Sequence, residues 1–150
     1  MCQKILAFFF VVIFITACDT KEKSNHTAVE KKKLPLLHNC YKYAGKNDTI
    51  TLKIINGGDS ITGSLIYKLK EKDTNKGTIV GVMKGDILIA DYTFMSEGIL
   101  SVRQVVLKQE GNGFIEGYGE IVTGNKRSFY KNIDSLHFNN VIKLIENPCE

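Results

Sequence analysis

The chain has 150 residues, 20 of them Lys or Arg and 16 Asp or Glu, and a formal net charge of +4. So mild an excess, without a basic stripe interleaved with aromatics, argues against a nucleic-acid partner. The 13 glycines against 2 prolines, no Trp, and abundant Thr, Ile, Val and Tyr predict an all-β domain.

From Ile5 to Ala17 the chain is apolar almost without interruption, and after Cys18 it becomes polar, "DTKEKSN". This segment is shorter than the roughly 20 residues a helix needs to cross the hydrocarbon core. It fits a secretory signal, whose apolar region is about 7–15 residues long, behind a thin basic start of Lys4 and the free amine. Ile15-Thr16-Ala17-Cys18 resembles the lipobox of bacterial lipoproteins. The resemblance implies cleavage before Cys18, a diacylglycerol on its sulfur and an acyl group on the new amine. Each buried methylene adds about 0.8 kcal/mol, so several acyl chains hold a protein firmly to a membrane. The alternative is an ordinary signal with an incidental cysteine. The expected location is the cell envelope. Asp19 would favour inner-membrane retention in enteric bacteria, whereas an acidic, lysine-rich start marks surface export elsewhere. The reading adopted is an outer-membrane lipoprotein, its leaflet left open.

The expected organisation is a signal over 1–17, a lipidated and flexible linker over 18–37, and one domain over 38–150. The linker is charged, lacks periodicity and ends near Pro35. About 20 flexible residues span roughly 25 Å, enough to lift a domain clear of the headgroups. Its Lys31-Lys32-Lys33 run reads as solvated.

From Cys40 onward short strands alternate with turn signals, the pattern of a sandwich or barrel. Strands are predicted over 49–55, 60–70, 78–84, 87–95, 100–108 and 114–123, with 40–44 opening the series and 127–138 supplying one or two more. Two-residue loops at Gly85-Asp86, Glu97-Gly98 and Asn112-Gly113 set Met83 opposite Leu88, Tyr92 opposite Arg103 and Leu107 opposite Tyr118. Longer loops at 72–76 and 56–59 set Tyr67 opposite Gly81 and Ile54 opposite Ile61. One face then collects the apolar side chains of six strands, from Ile50, Leu52 and Ile54 through to Val105, Leu107 and Tyr118. A one-residue slip would turn a strand over, so this agreement carries weight. Closing the sheet resolves its edges best, giving an up-and-down meander of about eight strands closed as a small lipocalin-like barrel. The lipocalin Gly-x-Trp signature is absent.

Of the 4 cysteines, Cys2 leaves with the signal and Cys18 carries lipid, so Cys40 and Cys149 are expected to form a disulfide. Its loop of about a hundred residues would contribute about 4–5 kcal/mol in the chain-entropy model.

Signals for catalysis are poor. There is no G-x-S-x-G elbow, no H-E-x-x-H and no cysteine left as a nucleophile, so no enzyme, cofactor or metal is expected. "DTNKG" lacks the Gly and Glu of a calcium loop and reads as a turn. Asp48-Thr49-Ile50, Asp59-Ser60-Ile61 and Asp134-Ser135-Leu136 resemble an O-glycosylation acceptor of some bacteria, although Asp before Ser or Thr is also common turn chemistry.

The inward face carries charge at one end. Arg103 is expected to pair with Glu120, diagonal to it, with Glu116 further along. Arg103, Tyr67, Tyr92 and Tyr118 would then line the polar end of a pocket for a small amphipathic acid. The competing reading makes Arg103 and Glu120 a structural pair at the rim of a filled barrel, which engages an envelope protein through its loops. The segments "GSLIYKLKEKDTNKGT", "GDILIADYTFMSEG" and "EGYGE" resemble small Gram-negative envelope lipoproteins of uncharacterised activity, a resemblance spanning roughly 40–125. It implies location and fold more than activity.

Overall fold

A computed structural model describes residues 37–56 and 60–149 of the chain. The signal, Cys18, most of the linker and Asp59 lie outside the described residues.

The described residues form ten strands and one short 3-10 turn. β1 (Leu37–Ala44), β2 (Thr49–Asn56), β3 (Ile61–Lys68), β4 (Asn75–Lys84), β5 (Ile87–Ser96), β6 (Ile99–Glu110) and β7 (Gly113–Tyr118) follow one another as an antiparallel meander. The last strand, here β10 (His137–Asn147), inserts between β7 and β1 and closes an eight-strand antiparallel barrel. The remaining two, β8 (Ile121–Gly124) and β9 (Arg127–Tyr130), form a hairpin outside it, with β9 running parallel to the start of β6. Cys40 and Cys149 form a disulfide with their α-carbons 5.2 Å apart, tying β1 to the end of the chain beyond β10.

Alternation decides which side chains are inside. Ile50, Leu52, Ile54, Ile61, Leu65, Tyr67, Ile79, Leu88, Ala90, Tyr92, Val105 and Leu107, all on the predicted inward face, form one buried core. Phe114 and Leu144 complete it. Small residues let the sheet bend this tightly: a Cβ on Gly63 would collide with the carbonyl oxygen of Lys53, and one on Gly81 with that of Ile89. A second cluster, Val106, Tyr130 and Leu136, lies where the segment after β9 packs against the β5–β6 face, with Ile87 and Ile89 beneath it.

Three registers differ from expectation, each by an even number of residues. The β6–β7 turn is Gly111-Asn112 rather than Asn112-Gly113, so Leu107 faces Glu116 and not Tyr118. Gly111, at φ +60°, supplies the left-handed residue, while Gly113 is needed because a Cβ there would collide with the Leu144 carbonyl. Asn56 pairs with Ile61, placing Ile54 opposite Gly63. Tyr67 faces Asn75 instead of Gly81, because β4 starts earlier than predicted. Even slips preserve the face, so the core survived all three. The two-residue loops at Gly85-Asp86 and Glu97-Gly98 stand as predicted. The predicted strand 114–123 is two strands, and 127–138 supplies β9 and only the first residues of β10.

Candidate functional site

The site follows from where the β6–β7 ladder ends. Its last pair toward the chain's open end is Leu107 with Glu116. Beyond it β7 pairs with β10 through Gly117 and Tyr118, while β6 takes β9 as its neighbour at Val102 and Arg103. The wall therefore parts between Arg103 and Tyr118. Tyr130 bridges the parting: its hydroxyl donates to the Gly117 carbonyl at 2.7 Å, and its N–H donates to the Gln104 side-chain oxygen at 3.1 Å.

This divergence overturns the expected Arg103–Glu120 pair. Glu120 is carried outward with the β8 hairpin, where both its carboxylate oxygens accept from Lys131 Nζ at 2.9 and 3.1 Å. Arg103 turns instead to Glu116, its Nη2 lying 3.6 Å from Oε1. Glu116 is 5 % exposed, and its second oxygen accepts from the Tyr67 hydroxyl at 2.9 Å. The guanidinium lies over two aromatic rings, 5.0 Å from the centre of Tyr67 and 5.8 Å from that of Tyr92. Arg103, Tyr67, Tyr92 and Tyr118 thus meet as the sequence predicts, and Glu116 takes the place given to Glu120.

The group lines a cavity of about 250 Å³ at the mouth of the barrel. Its apolar wall is Ile50, Leu69, Phe94 and Ile142, and its polar wall also includes Lys72 and Asn75. Ile142 arrives there through an irregularity in β10 between Phe138 and Lys143, where Asn139 accepts a hydrogen bond from the Val141 N–H. Below the cavity the barrel is filled: Leu52, Leu65, Ile79, Leu88, Val105, Leu107 and Leu144 are at most 1 % exposed.

The cavity's electrostatics are unevenly balanced. Burial raises the Glu116 carboxyl above its ordinary value, although Arg103 and the Tyr67 hydrogen bond both pull it down. For Arg103, burial pushes the other way, but the surrounding Tyr67, Glu116, Tyr130 and Tyr92 outweigh it and hold the guanidinium charged. Burial is the main cause that lifts the Tyr92 and Tyr118 hydroxyls to about 12. At 3.6 Å the Arg103–Glu116 contact is an ion pair without a hydrogen bond. The Tyr92 hydroxyl and Arg103 Nε are buried and find no hydrogen-bond partner among the described residues. Each such group costs about 1–3 kcal/mol unless something meets it, so the polar wall is unfinished.

Among the described residues no three His, Cys, Asp or Glu side chains gather to hold a metal ion. Asp48 accepts from the Lys70 N–H at 2.7 Å, tying the β1–β2 connection to the β3–β4 connection, whereas Ser135 donates to the Asn132 carbonyl at 3.0 Å within its own turn. Sequence reasoning missed Tyr130 and Ile142, since neither lies on a strand with visible alternation. No family model matches the chain, and no curated protein and no solved structure matches it either.

Proposed function

We propose that the chain is a lipid-anchored protein of a bacterial envelope that acts without catalysis, holding the charged end of a small amphipathic acid in the mouth of its barrel. The observation that carries this reading is the state of Arg103. Its guanidinium lines the cavity with its side chain 37 % exposed, stands outside hydrogen-bond range of its counter-ion, and stacks on tyrosine faces that orient it. Two cations of the lining, Arg103 and Lys72, face one carboxylate, Glu116, which leaves an excess of one positive charge for an anion. A carboxylate or phosphate matches the planar fork of arginine.

The cavity limits the ligand. At about 250 Å³ it falls just under the roughly 300 Å³ where small-molecule pockets begin, and the packed core beneath admits nothing deeper. The charged group therefore enters and any long apolar tail stays at the mouth. Tagged wild-type protein and Arg103→Met, recovered from envelope membranes, can be compared by mass spectrometry of the retained lipids. The expected result is an anionic amphiphile on wild type and at least about tenfold less on the variant, because a hydrogen bond to a charged group contributes about 1.5–3 kcal/mol. Equal retention by the two would move the ligand away from Arg103.

The filled interior favours a second reading, a scaffold lipoprotein that engages an envelope protein through its loops. Retention of no lipid by either protein leaves this reading standing. The anchor is tested separately: Cys18→Ser should lose acyl labelling and leave the membrane fraction, and a variant still wholly membrane-bound points to an uncleaved apolar segment.

A further inference from the structure

One edge of the Arg103 guanidinium carries Nε and Nη2, a pair that can grip a carboxylate or phosphate through two parallel N–H bonds. Glu116 stands at the Nη2 end of this edge, 3.6 Å away, and the Nε end is buried and unmet. An anion that takes the edge therefore arrives beside a carboxylate that has little room to retreat. Glu116 is 5 % exposed and held from behind by the Tyr67 hydroxyl, 2.9 Å from its other oxygen. Lys72, the second cation of the lining, does little to relieve the crowding, because it is exposed to solvent and its field is screened. In the buried part of the mouth Arg103 and Glu116 cancel, and an entering anion would set two negative groups on one guanidinium. Two acidic groups sharing such a site do not both stay ionised; one takes a proton.

On the reading that Arg103 holds an anion, which this inference presupposes, we propose that the anion enters the mouth together with one proton, which adds to Glu116. The proton comes from solvent and forms an O–H bond on Oε1, the oxygen facing Arg103; no other covalent bond changes. Oε2 goes on accepting from Tyr67, while Oε1 changes from a charge that repels the anion into a donor toward it. The Tyr92 hydroxyl, buried on the same cavity wall without a partner among the described residues, supplies a further donor. Burial already raises the Glu116 carboxyl above its ordinary value with the cavity empty, which biases the site toward this uptake. The other groups around the carboxylate keep their charge state through the neutral range. Tyr67 on β3, Tyr92 on β5, Tyr118 on β7 and Tyr130 on β9 are all raised by burial, Tyr92 and Tyr118 to about 12. Arg103 on β6 stays charged, and β2 and the β10 irregularity contribute only Ile50 and Ile142 to the lining. His137, at the start of β10 opposite Tyr118, is the imidazole to be distinguished from Glu116.

Linkage sets the sign, because a proton that favours the anion is favoured by the anion in equal measure. Affinity should be highest in acid and fall as pH rises, by up to about tenfold per pH unit, wherever Glu116 is ionised in the free protein and protonated in the bound one. The probe is hexanesulfonate, an amphipathic anion whose own charge is constant from acid to mildly alkaline pH. It is titrated calorimetrically into detergent-solubilised full-length protein in two buffers of different ionisation enthalpy, which counts the protons taken up per ligand. Wild type should take up a proton on binding and lose at least about tenfold in affinity between mildly acidic and mildly alkaline pH. Glu116→Gln should take up none and hold the acid-side affinity at every pH. Binding by wild type with a flat profile and no proton uptake overturns the proposal and leaves the anion site standing. A slope and a proton count that persist in Glu116→Gln overturn it as well, and assign the proton to His137. Wild type that binds no hexanesulfonate at any pH, like Arg103→Met, overturns the anion site itself and the proposal with it.

Discussion

At the end of the barrel where β1 enters, the wall is stapled by Cys40–Cys149, and the side chains below it are apolar and sealed. At the opposite end Tyr67, Arg103 and Glu116 meet at a parting in the wall, and two buried polar atoms have no partner. Both ends are built from the same alternating strands. The difference is in what fills the inward positions: aliphatic side chains toward one end, long polar and aromatic ones toward the other. The first arrangement confers stability, and the second holds charged and hydroxyl groups at some cost to it. That division is characteristic of a scaffold carrying a site, with the site confined to where the barrel is open.

The largest test of this contrast is at the stapled end. Cys40→Ala with Cys149→Ala removes a crosslink spanning 109 residues, whose loss in the chain-entropy model costs about 4–5 kcal/mol. Urea unfolding should show a much lower midpoint in the double variant, and the same drop in wild type on adding a reductant. A midpoint that hardly moves would mean the closure is held by packing and hydrogen bonds alone.

Glu116 probes the mouth. Glu116→Ala leaves the Tyr67 hydroxyl and the Arg103 charge without their partner and should cost about 2–4 kcal/mol. Glu116→Gln behaves differently, because it keeps an acceptor for Tyr67 and removes only the charge. Burial holds the folded-state carboxyl above its ordinary value, so the folded protein binds this proton more tightly than the unfolded chain does. Stability from the neutral form is then fully present below the unfolded value and is lost as pH rises through the raised folded one. Wild type should therefore be no more stable than Glu116→Gln at neutral pH, and should close any deficit as pH falls toward the ordinary carboxylate range. The difference between the two melting curves isolates this group from the other carboxylates. A wild type that loses ground to Glu116→Gln on acidification would show that Arg103 dominates burial.

What could be read from the sequence, and what could not, has the same physical origin. Period-two alternation fixes the face of a strand, so Tyr67, Tyr92, Arg103 and Tyr118 were placed inward correctly although three registers slipped by even steps. Alternation says nothing about where a ladder stops. The parting after Leu107–Glu116 depends on β9 taking the edge of β6, and β8 and β9 are too short and exposed to show a pattern. The second half of β10 escaped because Asn139 and Asn140 interrupt its alternation at the irregularity that brings Ile142 to the cavity.

The smallest expected effect follows from the same parting. Had the β6–β7 ladder continued, its register would have set Glu120 opposite Arg103, and both carboxylates would have crowded one guanidinium. The ladder stops, Glu120 leaves with the hairpin, and its pair with Lys131 is exposed on both sides. Exposed pairs contribute about 0–1 kcal/mol, so Glu120→Gln should shift the urea midpoint barely. Ligand retention by Glu120→Gln should match wild type, whereas Arg103→Met loses it. A Glu120→Gln protein that lost stability as Glu116→Ala does would put Glu120 at the mouth, and the assignment of Glu116 as the partner of Arg103 would have to be abandoned.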